Sequence, residues 1–112
     1  MLKMENRNIM GEVMDTMNFA GKVLPEIQQK FMDFNKAVLS EGKLSVKTKE
    51  LIAIALSLAG NCEWCITYHT RMALSNGATE EEIMEAAYVA VLMAGAPALM
   101  HVQILKDALK GR

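Results

Sequence analysis

The chain has 112 residues and a mass of 12.4 kDa, enough for a single domain over residues 1–112 and not for two. Twelve Lys and Arg against thirteen Asp and Glu leave a net charge of -1, which excludes nucleic acid as the main partner, because displacing counterions from phosphates needs a basic face. Apolar content of 52% with 5% aromatic residues, two Pro and ten Met favours helices and excludes collagen-like, disordered and disulfide-rich secreted classes. The N-terminus carries Lys3, Glu5 and Arg7 where a leader would need an apolar run, so no targeting segment is expected.

Apolar spacing is helical almost throughout, and the expected fold is an all-α bundle of six short helices. Ile9, Val13 and Met17, with Met10 and Met14 beside them, make a first amphipathic helix. Pro25 suits the opening turn of a second, on which Leu24, Ile27, Phe31, Phe34 and Val38 form an apolar stripe that Gly42 ends. Ser45 caps a third helix running to about residue 59 and closed by Gly60; over 51–59 it is apolar on every face and needs cover on both sides. Asn61 is the expected cap of a fourth helix from Cys62 to about Ser75, ended by Asn76-Gly77. Thr79 and Glu82 form a capping box for a fifth through Met93, and a sixth follows Pro97 to about Leu109. The uncharged stretch 86–105 is long enough for a membrane span, but Gly95 and Pro97 interrupt it and a buried helix pair is the better reading. The expectation is a soluble cytoplasmic protein with no membrane partner. At helical spacing most of the methionines are expected in the core, and helices this apolar predict subunit association, chiefly around the fifth and sixth.

The residues that carry chemistry are Cys62, Cys65 and His69. At 100° per residue Cys65 lies about 60° and His69 about 20° from Cys62, so all three share one face at the start of the fourth helix. The positive end of that helix favours a thiolate, most strongly at Cys62, while His69 is four residues beyond Cys65 and in reach of its proton. Glu50 is the only acid between Glu41 and Glu63, and an antiparallel return through Gly60-Asn61 lays it opposite His69 as the group that orients the imidazole. Glu63, Trp64 and Arg71 are candidates to shape an entrance to the thiols.

Other readings compete. The cysteines could be inert core residues. A structural disulfide is disfavoured because Cβ atoms three apart on a regular helix stand about 5–6 Å from one another, wider than a relaxed bridge, although a labile bridge suits a redox switch. Zinc held by Cys62, Cys65 and His69, with Glu50 or His101 fourth, is the sharper rival, though CxxC zinc pairs usually sit in turns. Covalent haem is excluded because Ile66 stands where CxxCH needs His. His101 is read as a core or interface residue. Lys43, Lys47 and Lys49 are read as a solvated helix start, and Glu80, Glu81 and Glu82 as ordinary first-turn acids.

Cys62-x-x-Cys65-x-x-x-His69, preceded by Glu50 inside Lys49-Glu50-Leu51-Ile52-Ala53-Ile54-Ala55 and followed by Asn76-Gly77-Ala78-Thr79-Glu80-Glu81-Glu82-Ile83, resembles the alkylhydroperoxidase D branch of the carboxymuconolactone decarboxylase family. The likeness covers roughly residues 20–105. It implies an all-helical fold assembled as a homo-oligomer, a trimer or hexamer, with short chains tending to hexamers. It also implies Cys65 as the attacking thiol that passes through sulfenic acid or a mixed disulfide, Cys62 as resolving cysteine and proton donor, and His69 with Glu50 as the proton relay. The alkylhydroperoxidase carries an additional His between its cysteines, where this chain has Glu63 and Trp64. The function expected is therefore a thiol–disulfide oxidoreductase with peroxidase-like activity on a hydroperoxide or disulfide, recharged by an external thiol or dithiol reductant and needing no bound cofactor or metal. A lactone decarboxylase, the activity the family is named for, and a non-enzymatic zinc-binding helical oligomer are the alternatives.

Overall fold

The computed structural model describes residues 7–111, so Lys3 and Glu5 lie outside the described residues. Six helices follow one another: α1 (Ile9–Val23), α2 (Pro25–Leu39), α3 (Val46–Ala59), α4 (Glu63–Ser75), α5 (Glu80–Ala94) and α6 (Ala96–Leu109). Their ends follow from local chemistry. Asn8 opens α1 by accepting the Gly11 N–H at 2.9 Å, Ser45 opens α3 through the Thr48 N–H at 3.1 Å, and Thr79 and Glu82 close a reciprocal capping box on α5. Behind α4, Ala78 N–H reaches Ala73 O and Gly77 N–H reaches Leu74 O, a Schellman turn in which Gly77 takes the left-handed conformation at φ 88°. The second helix stops at Leu39, short of Gly42; Lys49 Nζ donates to Val38 O and Ser40 O at 2.8 and 2.7 Å, satisfying carbonyls that the helix leaves open.

Helices α3–α6 pack against one another around Ile54, Leu58, Ile66, Ile83 and Leu105, each fully excluded from solvent, with Ala73, Ala87, Ala98 and Ala108 where the backbones approach closely. Helix α1 lies on α4 and α2, and α2 buries no residue at all. The radius of gyration is 14.4 Å, against roughly 13 Å for a fully compact chain of this length. No helix among the described residues is long and apolar enough to cross a membrane.

One expectation changes, and two apolar faces are left uncovered within the chain itself. Among the described residues no methionine is buried: Met17, Met32 and Met72 line cavities, and Met93 and Met100 stand out into solvent at 79% and 70% exposure. The α2 stripe forms as expected but faces outward, with Phe34 67% exposed. One side of α3 is likewise left open at Ile52 and Leu56. Periodicity identifies an apolar face but not whether the same chain covers it.

Candidate functional site

The site begins at the reversal between α3 and α4. Cys62 N–H bonds Ser57 O and Asn61 N–H bonds Leu58 O, the two bonds of a Schellman turn, with Asn61 held in the left-handed region at φ 55°. Asn61 therefore ends α3 and does not cap α4. The N-cap is Cys62, in extended backbone at φ -101°, and its Sγ accepts the Cys65 N–H at 3.2 Å. Asparagine tolerates the left-handed conformation because its short polar side chain can bond locally, which is why it can stand where Gly is usual.

This shift of one residue matters chemically. The wide Cβ separation that disfavours a bridge holds only for two cysteines inside regular helix, and Cys62 lies outside it. The two Cα atoms are 5.3 Å apart, within the span a disulfide takes, and the sulfurs are joined. Cys62 Sγ thus sits at the positive end of α4, and Cys65 occupies the first turn.

His69 lies one turn beyond Cys65. Its Nδ1 is 2.6 Å from Glu50 Oε1, across the antiparallel α3–α4 pair, and Glu50 is only 2% exposed. A carboxylate only accepts, so with Glu50 as the acceptor Nδ1 is the donor in this contact, and Nε2 is the ring nitrogen left for a second partner. Tyr68 meets the His69 ring edge-on, with centroids 5.1 Å apart. Cys65 and His69 both line a cavity of about 210 Å³ whose other walls are Val13 and Met17 from α1, Phe31 and Asn35 from α2, and Trp64 and Tyr68. Glu50 opens instead on a second cavity of about 410 Å³, bounded by Met32, Lys36, Val46 and Met72, with Asn35 and Tyr68 common to both.

The placement of Cys65, His69 and Glu50 is legible in sequence, whereas the N-cap position of Cys62 and the contribution of α1 and α2 are not. Trp64 Nε1–H donates to Glu12 Oε1 at 2.9 Å, and Arg7 grips Glu12 through Nη2 at 2.7 Å and Nε at 3.1 Å. Arg7 Nη1 also reaches Glu63 Oε1 at 2.6 Å. The Arg7 guanidinium, and secondarily the Trp64 indole, hold the Glu12 carboxyl below the usual carboxylate range; Glu12 and then Glu63 raise Arg7 in turn. Glu12 and Trp64 stand 52 positions apart, and no short-range pattern announces the contact.

Other candidates have ordinary surroundings. His101 donates from Nδ1 to Pro97 O at 2.8 Å on its own helix. Lys47, read as solvated, pairs with Glu82 at 3.0 Å, and Arg71 takes no place in the wall of the Cys65 cavity. Among the described residues no three His, Cys, Asp or Glu side chains are grouped as metal ligands.

The model of the carboxymuconolactone decarboxylase family matches residues 25–105. A solved family member from Legionella pneumophila superposes with a TM-score of 0.86 at 34% identity, over 92% of each chain. Another from Thermotoga maritima, suggested to be involved in an antioxidative response, gives 0.80 at 30% identity, over 91% of this chain and 87% of that one. An uncharacterised protein of the cox locus of Paracoccus denitrificans is 41% identical over 75 residues, 67% of this chain and 68% of its own length. Sequence, fold and family model agree, and the chain belongs to the carboxymuconolactone decarboxylase family.

Proposed function

We propose that the protein is a thiol–disulfide oxidoreductase that reduces hydroperoxides, cycling Cys62 and Cys65 between dithiol and disulfide. The observation that carries this reading is the shared cavity of Cys65 and His69, with His69 Nδ1 held at 2.6 Å by a buried carboxylate. An imidazole oriented in this way serves as a base for a neighbouring thiol, the usual route to an activated cysteine. The antioxidative role suggested for the Thermotoga maritima relative is consistent with it.

In the proposed cycle His69 Nε2 takes the Cys65 proton, with Glu50 stabilising the resulting imidazolium. The Cys65 thiolate attacks the terminal oxygen of the hydroperoxide; the O–O bond breaks, an S–O bond forms, and the departing alkoxide takes the proton back from the His69 imidazolium to leave as an alcohol. Cys62 then attacks the sulfenic sulfur and water leaves, its oxygen taking up the Cys62 proton. The disulfide results. An external lipoyl, thioredoxin-like or low-molecular-weight dithiol returns the pair to thiols and is itself oxidised. Cys62 as resolving residue fits its place at the N-cap, where the sulfur is held beside the Cys65 backbone.

Lactone decarboxylation fits this cavity less well, because a carboxylate-bearing lactone calls for Lys or Arg at the wall and the lining has neither. The working unit is proposed to be a homo-oligomer, a trimer or hexamer, since Phe34 on α2 and Leu92 and Met93 on α5 expose large apolar faces. Replacing Cys65 by Ser is expected to abolish hydroperoxide-dependent consumption of a dithiol; retained turnover would contradict the assignment.

A further inference from the structure

Trp64 is immediately before Cys65, and its indole is a wall shared by two adjoining cavities. One, of about 210 Å³, contains Cys65 and His69. The other, of about 430 Å³, is bounded by Val13, Thr16, Met17 and Trp64 and does not reach the sulfur. Trp64 is 48% exposed, so packing alone does not fix the ring. Its indole N–H donates to Glu12, and Glu12 is held in turn by two bonds from Arg7. The second arm of Arg7 takes Glu63, so both residues between the cysteines are tied to the N-terminal part of the chain.

We propose that Glu12 is a positioning residue: it fixes the Trp64 indole as a partition between these cavities and so limits the size of the molecule that reaches Cys65 Sγ. An indole N–H bonded to a carboxylate that is itself gripped by Arg holds one ring orientation. Without that acceptor the ring is free to turn, the two spaces become continuous beside the sulfur, and bulkier partners gain access. The idea deepens the reading of this cavity as the substrate site of Cys65, but it makes a claim about access that does not depend on turnover.

The test uses Cys62→Ser, in which Cys65 is the sole thiol, and compares its alkylation by iodoacetamide with that by a bulky fluorescein maleimide. Losing a hydrogen bond of this type is expected to raise the ratio of bulky to small rates about fivefold in Glu12→Ala. Trp64→Phe, which keeps a ring but has no N–H, is expected to raise it similarly, and the double variant to add nothing further. Glu12→Gln keeps an acceptor for the indole and is expected to stay near the parent ratio. Helical circular dichroism confirms that each variant is folded, and Trp64→Phe supplies the test should Glu12→Ala fail to fold. An unchanged ratio in Trp64→Phe, or a shift in Glu12→Gln as large as in Glu12→Ala, overturns the proposal. Absence of hydroperoxide turnover in the unsubstituted protein would overturn the proposed chemistry and leave the access ratio to be judged by itself.

Discussion

Helices α3–α6 and the α1–α2 hairpin both carry apolar faces, the first region the more apolar in sequence, and the two meet different fates. In the first region Ile54, Leu58, Ile66, Ile83 and Leu105 are completely buried, and the buried carboxylate of Glu50 is spared an unpaired state by His69. In the second, Phe19, Ile27, Phe31 and Phe34 remain more than half exposed. Yet the hairpin is not idle surface: Val13, Met17, Phe31 and Asn35 complete the wall of the cavity whose reactive groups come from α4. The packed region holds Glu50 against His69, and the open one supplies part of the cavity wall beside Cys65. A rigid scaffold with an adaptable rim is a common division of labour in binding sites.

The contrast is broken most forcefully by core truncation. Leu58→Ala is expected to cost about 2–5 kcal/mol in urea unfolding, whereas Phe34→Ala is expected to stay within about 0.5 kcal/mol per subunit. The latter should instead shift the sedimentation distribution toward smaller assemblies, and a core-sized loss of subunit stability would contradict the description of α2. Next comes the α3–α4 reversal. Asn61→Val forces a β-branched residue into the left-handed region and is expected to cost about 1–2 kcal/mol, while Asn61→Gly should be close to neutral. Equal stabilities of the two variants would show that the positive φ carries no demand.

The smallest expected effect is electrostatic. Glu82 is held below the usual carboxylate range, first by the Thr79 backbone N–H and then by Lys47. A depressed folded-state value contributes stability above the unfolded carboxylate value and loses it as pH falls through the folded one. The stability gap between the parent and Glu82→Gln should therefore be largest near neutral pH and shrink in acid. A gap that widens in acid would reverse the assignment.

How far the sequence could be read follows from the range of each signal. Ser45, the Thr79–Glu82 box and Asn76-Gly77 act within a few residues, and each marks a helix end as expected. The face shared by Cys65 and His69, and Glu50 opposite, follow from helical repeat and one tight reversal. Asn61 and Cys62 exchange their expected parts because Asn suits both an N-cap and a left-handed turn, and the two roles differ by a single position. The Glu12–Trp64 contact and the outward α2 stripe depend on long-range packing, which no local spacing encodes. The methionines follow the same logic: flexible side chains at helical spacing line cavities as readily as they fill a core.

The central claim is that Cys65 is the sulfur that meets the oxidant and Cys62 the one that resolves it. It is tested most directly by treating reduced Cys62→Ser protein with one equivalent of an organic hydroperoxide in the presence of dimedone, followed by peptide mass spectrometry. The account predicts a single dimedone adduct on Cys65, and a further replacement of His69 by Ala should slow its formation by about 10²–10⁴-fold. An unmodified Cys65, together with an adduct on Cys62 in the reciprocal Cys65→Ser protein, would contradict it.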